Sequence, residues 1–368
     1  MLRVLQVLGK TGLGGAESRI MDLYRHMDRE HIQFDFLIHY KEKGYFDDEI
    51  KRLGGNIYYL PSFRVYNYFT YKKACRRFFE EHSYFAAVHG HMTSTAAIYL
   101  PEAKRAGIPL TIAHARSAGV DNGVKGLITK LLRKNLYKKC DKMFACSDLA
   151  AEAVFGKKRY KENRVTILPN AVDTKDFLPN EDVRIQLRRQ YCLEDKFVIG
   201  HVGRFHYAKN HEFLLEIFAQ ILKQKDDAML MLLGDGPLKE ETKQKAKDMG
   251  IDKKVIFTGN QTPVAPFYQV FDFFLFPSRF EGLPGTVVEA QATGLKCLIS
   301  DTITKQVKAT ELVTFMSIKD SANKWANEVL RQVEQPSVEF VNCNLAETNY
   351  DVNNQVAFYE KIYSGRMA

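Results

Sequence analysis

Apolar positions along the chain cluster in short runs separated by amphipathic stretches, the pattern of strands alternating with helices. In the first half the runs are 2–8, 34–39, 56–60, 85–89, 110–114, 143–146 and 165–168. Between them, 16–27, 45–53, a polar stretch with Lys72, Lys73, Arg76 and Arg77, and a segment capped by Thr93 or Ser94 and running to 105 read as helices. A second series opens at 197–203. It continues with a helix at 212–223, a strand at 229–234, a charged helix, a strand at 254–259 and a short helix at 264–269. A strand at 271–277, a helix at 286–293 stopped by Gly294 and a strand at 295–300 follow, and 350–363 is a last candidate helix. The polar stretch 174–196, with Pro179, breaks the alternation, and an inter-domain linker is placed at its start. Segment 301–345 shows no clear pattern. Alternating strands and helices imply α/β domains, each a parallel sheet with helices on both faces.

The run from 273 to 300 concentrates the candidate chemistry. Its strand–turn–helix–strand order makes a βαβ unit, and ligands of open α/β sheets bind at the carboxyl ends of strands. The turn holds Ser278, Glu281, Gly282, Leu283, Pro284 and Gly285, and Glu289 follows in the helix with seven residues between the two acids. Free amides at the helix start, near Gly285 and Thr286, favour an anion. Carboxylates accept hydrogen bonds from hydroxyls. A phosphate beside several hydroxyls describes a nucleotide sugar. Thr286 and Glu289 also fit a capping box, in which Glu289 only closes the helix end.

Other turns carry related signals. Arg204 and Lys209 follow the 197–203 strand, and two fixed cations at a strand end suit a diphosphate. Gly203, Gly234 and Asn260 stand at neighbouring strand ends. Gly14 and Gly15 sit in a strand-to-helix turn that lacks the GxGxxG spacing, so no dinucleotide is inferred. They let a ligand approach the backbone, or only make a tight connection. His89, His91 and His114 all fall at strand ends, without a carboxylate spaced for a metal site. His91, where strand becomes helix, is the functional candidate among them. The stretch 126–140 reads as an amphipathic helix with Leu127, Leu131, Lys130, Lys134 and Lys138. It either docks on an anionic membrane surface or packs its leucines into the core.

Composition narrows the field. The 368 residues suit two domains, and 45% hydrophobic content fits a globular chain. No apolar run approaches the roughly 20 residues of a membrane span. The N-terminus has no signal-peptide cleavage pattern, and six cysteines without CxxC spacing suggest reduced thiols, so a cytoplasmic protein is expected. Residues 1–180 hold 30 Lys and Arg against 19 Asp and Glu, whereas 181–368 hold 23 against 25. The first half therefore suits an anionic partner or surface. No nucleic-acid recognition module accompanies that charge.

Together, Gly14-Gly15-Ala16-Glu17, His89-Gly90-His91, Pro169-Asn170-Ala171-Val172-Asp173, Val202-Gly203-Arg204-Phe205 with Lys209, Gly234-Asp235-Gly236-Pro237-Leu238, and Glu281-Gly282-Leu283-Pro284 through Glu289 resemble a retaining glycosyltransferase of family 4 with the GT-B fold. The likeness is to bacterial enzymes of exopolysaccharide and capsule assembly. It implies two Rossmann-like domains facing an inter-domain cleft: an acceptor-side domain, 1–174, onto which 350–368 packs back, and a donor domain, 175–349. It also implies that Arg204 and Lys209 hold the donor pyrophosphate, Glu289 the ribose and Glu281 the sugar. Gly14-Gly15 would pass close to donor phosphate or acceptor, and His91 would lie near the reacting carbon. The donor would be a nucleotide sugar, a UDP-sugar, serving as substrate; no cofactor and no metal are expected, since no Asp-x-Asp element is present. The acceptor would be a glycan or lipid-linked sugar. A nucleotide-sugar binding protein without catalysis, or an epimerase of the same fold, remains the alternative. After Ser300 many relatives carry a Gly-Gly loop and Pro-Glu, where this chain has Asp301-Thr302-Ile303-Thr304-Lys305.

Overall fold

The computed structural model describes residues 1–116, 124–335, 345 and 348–366. Ser117, shortly after the 110–114 strand, and residues 367–368 of the C-terminal stretch lie outside the described residues. The chain divides into two compact units, Met1–Ala171 with Asn349–Ala368, and Val172–Thr348.

The first unit is built on seven parallel strands: β1 (Leu2–Val7), β2 (Ile32–Ile38), β3 (Ile57–Tyr59), β4 (Ala87–Gly90), β5 (Leu110–Ala115), β6 (Lys142–Ala145) and β7 (Thr166–Ile167). Their order is β3-β2-β1-β4-β5-β6-β7. All seven residues of β2 are buried, as expected of a strand covered on both faces. Helix Gly15–His26 lays Ile20, Met21, Leu23 and Tyr24 on the sheet. The C-terminal helix Val352–Tyr363 joins the same core through Val352, Val356, Tyr359 and Ile362. The strand order reverses between β1 and β4, so the turn with Gly14-Gly15 and the His91 position flank one switch point.

The second unit has six parallel strands: β8 (Phe197–Val202), β9 (Ala228–Leu233), β10 (Val255–Gly259), β11 (Phe273–Phe276), β12 (Cys297–Ser300) and β13 (Val313–Met316), in the order β10-β9-β8-β11-β12-β13. Its reversal falls between β8 and β11. The loops bearing Arg204, Lys209 and Glu281 leave these two strands.

Three sequence expectations need correction. The 126–140 helix is shorter, Val124–Arg133, followed by a separate 3-10 turn at Leu136–Lys138. Leu136 is fully buried, whereas Leu127 and Leu131 are 69% and 70% exposed. One continuous helix does not carry both; the chain bends at Asn135 to seat Leu136. The helix after β4 is capped at Met92, without a side-chain cap, and not at Thr93 or Ser94; Thr93 is its first residue. The polar 174–196 stretch contains a helix, Glu181–Gln190, held by polar contacts instead of an apolar stripe. Arg184 and Arg188 both pair with Asp272, and Arg188 also donates to the Val270 carbonyl.

Candidate functional site

In the second unit, the turn after β8 is stapled to the turn after β11. Asn210, in the left-handed region at φ 57°, donates from Nδ2 to the Pro277 carbonyl at 3.1 Å, and the Arg279 amide donates to Ala208 O at 2.7 Å. These bonds set Lys209 against Glu281, with Nζ 2.7 Å from Oε1. The ammonium also lies 4.5 Å from the Phe276 ring centre, a cation–π contact. Gly203 makes room for this lysine, since a Cβ there would meet Lys209 Cδ and Cε at 3.1 Å. Gly234 is needed more strictly: its φ is 134°, and a Cβ would lie 2.2 Å from Gly203 O. Arg204 is exposed and makes no ion pair among the described residues. Asn260 is exposed at the end of β10.

Helix Gly285–Ala292 starts beside this pair. Its N-cap is Pro284, which has no capping side chain. The capping box proposed for Thr286 and Glu289 does not form, because the helix begins before Thr286 and places Glu289 at its fifth position. Glu289 instead turns inward, 2% exposed, and accepts from Tyr268 Oη at 2.7 Å. Ser278 Oγ and Thr286 Oγ1 are buried without hydrogen-bond partners among the described residues. Buried hydroxyls are nearly always satisfied, so the orphan Thr286 at the helix start and the orphan Ser278 just past β11 each leave a hydrogen bond open to a polar ligand. The structure thus gathers Gly203, Arg204, Lys209, Gly234, Glu281, Gly282, Leu283 and Pro284 on loops at the carboxyl edge of one sheet, with Gly285 and Glu289 on the helix that follows.

The remaining candidates, Gly14, Gly15 and His91, belong to the first unit. Gly14 caps helix Gly15–His26, and a Cβ on it would meet Glu17 Oε2 at 2.1 Å. A Cβ on Gly15 would meet nothing within 4 Å. His91 is partly buried, and both ring nitrogens are engaged. Arg116 Nε donates to Nδ1 at 3.2 Å, so a neutral ring carries its hydrogen on Nε2 and donates it to Gln6 Oε1 at 2.9 Å. Burial pushes the His91 pKa well down, and the neighbouring His89 and the Arg116 charge push it further. A general base needs a free lone pair, and here Arg116 occupies it.

His89 stacks on His91 with ring centres 4.3 Å apart. It bonds Tyr363 Oη through Nδ1 at 2.7 Å and His114 Nδ1 through Nε2 at 3.0 Å. The three histidines bring ring nitrogens within 4.8 Å of one another. Five of their six ring nitrogens are nevertheless spent on Gln6, Arg116, Tyr363 and each other, and His114 Nε2 alone among the six is buried without a partner among the described residues, an arrangement of a hydrogen-bonded chain with one open end.

Tyr268, Gln6 and Tyr363 were not singled out in the sequence. Tyr268 is brought to Glu289 within the second unit, and Gln6 and Tyr363 to the histidines within the first, only by tertiary packing.

The family model described as "Glycosyltransferase Family 4" matches residues 13–176, and that described as "Glycosyl transferases group 1" matches 196–335. A putative glycosyltransferase, EpsF, of Bacillus subtilis is 34% identical over 98% of this chain and 96% of its own length. A capsular polysaccharide biosynthesis glycosyltransferase, CapH, of Staphylococcus aureus is 23% identical over 100% and 99%. An Escherichia coli UDP-Gal:alpha-D-GlcNAc-diphosphoundecaprenol alpha-1,3-galactosyltransferase is 27% identical over 58% of this chain and 57% of its own. Among solved structures, Anabaena HepE in complex with UDP and glucose superposes with a TM-score of 0.79 at 15% identity, covering 98% of this chain and 100% of that one. The fold is GT-B.

Proposed function

The chain belongs to the family 4 glycosyltransferases, and from that premise we propose that it moves a sugar from a UDP-sugar to an acceptor hydroxyl with retention of anomeric configuration. The acceptor is a lipid-linked sugar in exopolysaccharide or capsule assembly. Support for donor and acceptor comes from the UDP complex of the structural neighbour and from the capsular and diphosphoundecaprenol relatives. The carrying observation is the Lys209–Glu281 pair beside exposed Arg204 and an uncapped helix start, all at the β8/β11 switch point.

Breaking the sugar–diphosphate bond leaves negative charge on the diphosphate. Arg204, Lys209 and the amides at Gly285 and Thr286 are placed to receive it, which lowers the barrier electrostatically. Ser278 Oγ and Thr286 Oγ1 add hydrogen bonds to phosphate oxygens. Glu289 accepts from the ribose hydroxyls, steadied by Tyr268. Glu281 releases Lys209 to the diphosphate and accepts from a sugar hydroxyl. The departing phosphate takes the acceptor proton, and His91, neutral and held by Arg116 and Gln6, orients the acceptor. The reaction draws its positive charge from side chains and needs no metal.

A thermal-shift panel of nucleotides and nucleotide sugars tests this reading. A ligand at a hundred times its dissociation constant stabilises by about 2.7 kcal/mol. UDP and one UDP-sugar are expected to raise the melting temperature by several degrees; no shift with any nucleotide would refute it.

Among the described residues no helix is long and apolar enough to cross a membrane. We propose instead a peripheral contact with the inner face of the cytoplasmic membrane through helix Val124–Arg133, which exposes Leu127 and Leu131 beside Lys130, with exposed Lys134 just past its end. Co-sedimentation with phosphatidylglycerol vesicles should fall when both leucines become serine and in high salt. Wild-type protein left in the supernatant would remove the idea.

A further inference from the structure

We propose that Arg116 is the centre of an anion site in the first unit, taking a phosphate or diphosphate ester carried by the acceptor. This rests on the transferase reading and adds the acceptor's charge to it.

Arg116 directly follows β5, beside the β4 end that carries His91. Its partners are neutral: His91 Nδ1 at 3.2 Å from Nε, and Asn170 Oδ1 at 3.5 Å from Nη1. Among the described residues Nη2 is buried with no hydrogen-bond partner in reach of good geometry, the neighbouring Tyr359 hydroxyl is neutral and likewise unpaired, and no carboxylate pairs with the guanidinium. A guanidinium keeps its charge at any ordinary pH. Holding it partly buried against neutral acceptors is costly unless an anion joins it.

The surroundings do not supply that anion. His89, His91 and His114 are kept neutral by burial and by the arginine itself. Glu17 is the acid of this edge, and its carboxylate folds back over Gly14 at the start of its own helix. Burial raises its pKa, against the pull of Lys10 and Arg116. Glu17 therefore stands where helix amides favour an anion, and the open space at Gly15 leaves room for a larger one. A phosphate has enough oxygens to bridge Nη2 and those amides together, which one carboxylate cannot do as well. An acceptor phosphate seated there would place the attached sugar beside His91.

The test titrates inorganic pyrophosphate calorimetrically into the full chain carrying Arg204→Gln and Lys209→Gln, which disables the donor diphosphate site. Binding is expected to survive in this chain, to weaken tenfold or more when Arg116→Gln is added, and to be partly kept by Arg116→Lys, which retains charge without the fork. Pyrophosphate that does not bind the Arg204→Gln/Lys209→Gln chain, or binds it equally with Arg116→Gln, overturns the proposal. UDP titrated into Arg116→Gln alone should bind as to wild type. A tenfold loss there would assign Arg116 to the donor phosphates and overturn the acceptor claim. If UDP fails to bind wild type while pyrophosphate still responds to Arg116, the donor reading falls and the anion site stands. Circular dichroism melts show whether each variant is folded.

Discussion

Replacing Arg204 with alanine is expected to lower kcat for UDP-sugar turnover by about 10²–10³, the usual cost of removing one group that stabilises developing charge. The fold should be untouched, because Arg204 is exposed and anchors nothing among the described residues. Lys209→Ala should match that loss of turnover but also destabilise the second unit. It leaves Glu281, whose side chain is 18% exposed, without its cation, and removes the contact with Phe276. The asymmetry separates chemistry from packing. An Arg204→Ala enzyme with wild-type kcat, measured by UDP release, would remove Arg204 from the mechanism.

Trp325→Ala is expected to destabilise the second unit by about 3–5 kcal/mol, the range for emptying a buried tryptophan site. Trp325 is fully buried on helix Ala322–Glu334, meets Phe213 edge-on at 5.8 Å, and donates from Nε1 to the Ser317 carbonyl at 2.9 Å. Deleting it opens a cavity and takes one of two donors from that carbonyl, which keeps the Asp320 amide. Denaturant unfolding followed by circular dichroism checks it, and a loss under about 1 kcal/mol would show that the core repacks. The chain has a single tryptophan, so its fluorescence reports this unit in the wild type.

That helix lies in the stretch the sequence left unread. A strand such as β11 was legible because a parallel strand covered on both faces leaves an unbroken apolar run, whereas β2 was read from Phe34 onward despite the buried Gln33 and Asp35 within it. Helix Glu181–Gln190 was missed because its stability comes from Arg184 and Arg188 on Asp272, a contact between residues more than eighty positions apart. β13 was missed because it is four residues long and only Val313 is buried. At the site, Arg204, Lys209, Glu281 and Glu289 were legible because a strand-to-helix turn fixes where their backbones lie. Their partners were not. Tyr268 on Glu289, and Arg116 and Gln6 on His91, meet only through packing. His91 shows the consequence: its position could be read from the sequence, but not that both ring nitrogens are already bonded.

A crystal structure of the chain grown with UDP tests the central claim most directly. The account predicts both phosphates within hydrogen-bonding reach of Arg204, Lys209 and the Gly285–Thr286 amides, with Lys209 turned from Glu281 and the ribose hydroxyls on Glu289. UDP bound away from the β8/β11 switch point, or bound there with the Lys209–Glu281 pair intact and Arg204 still facing solvent, would contradict it.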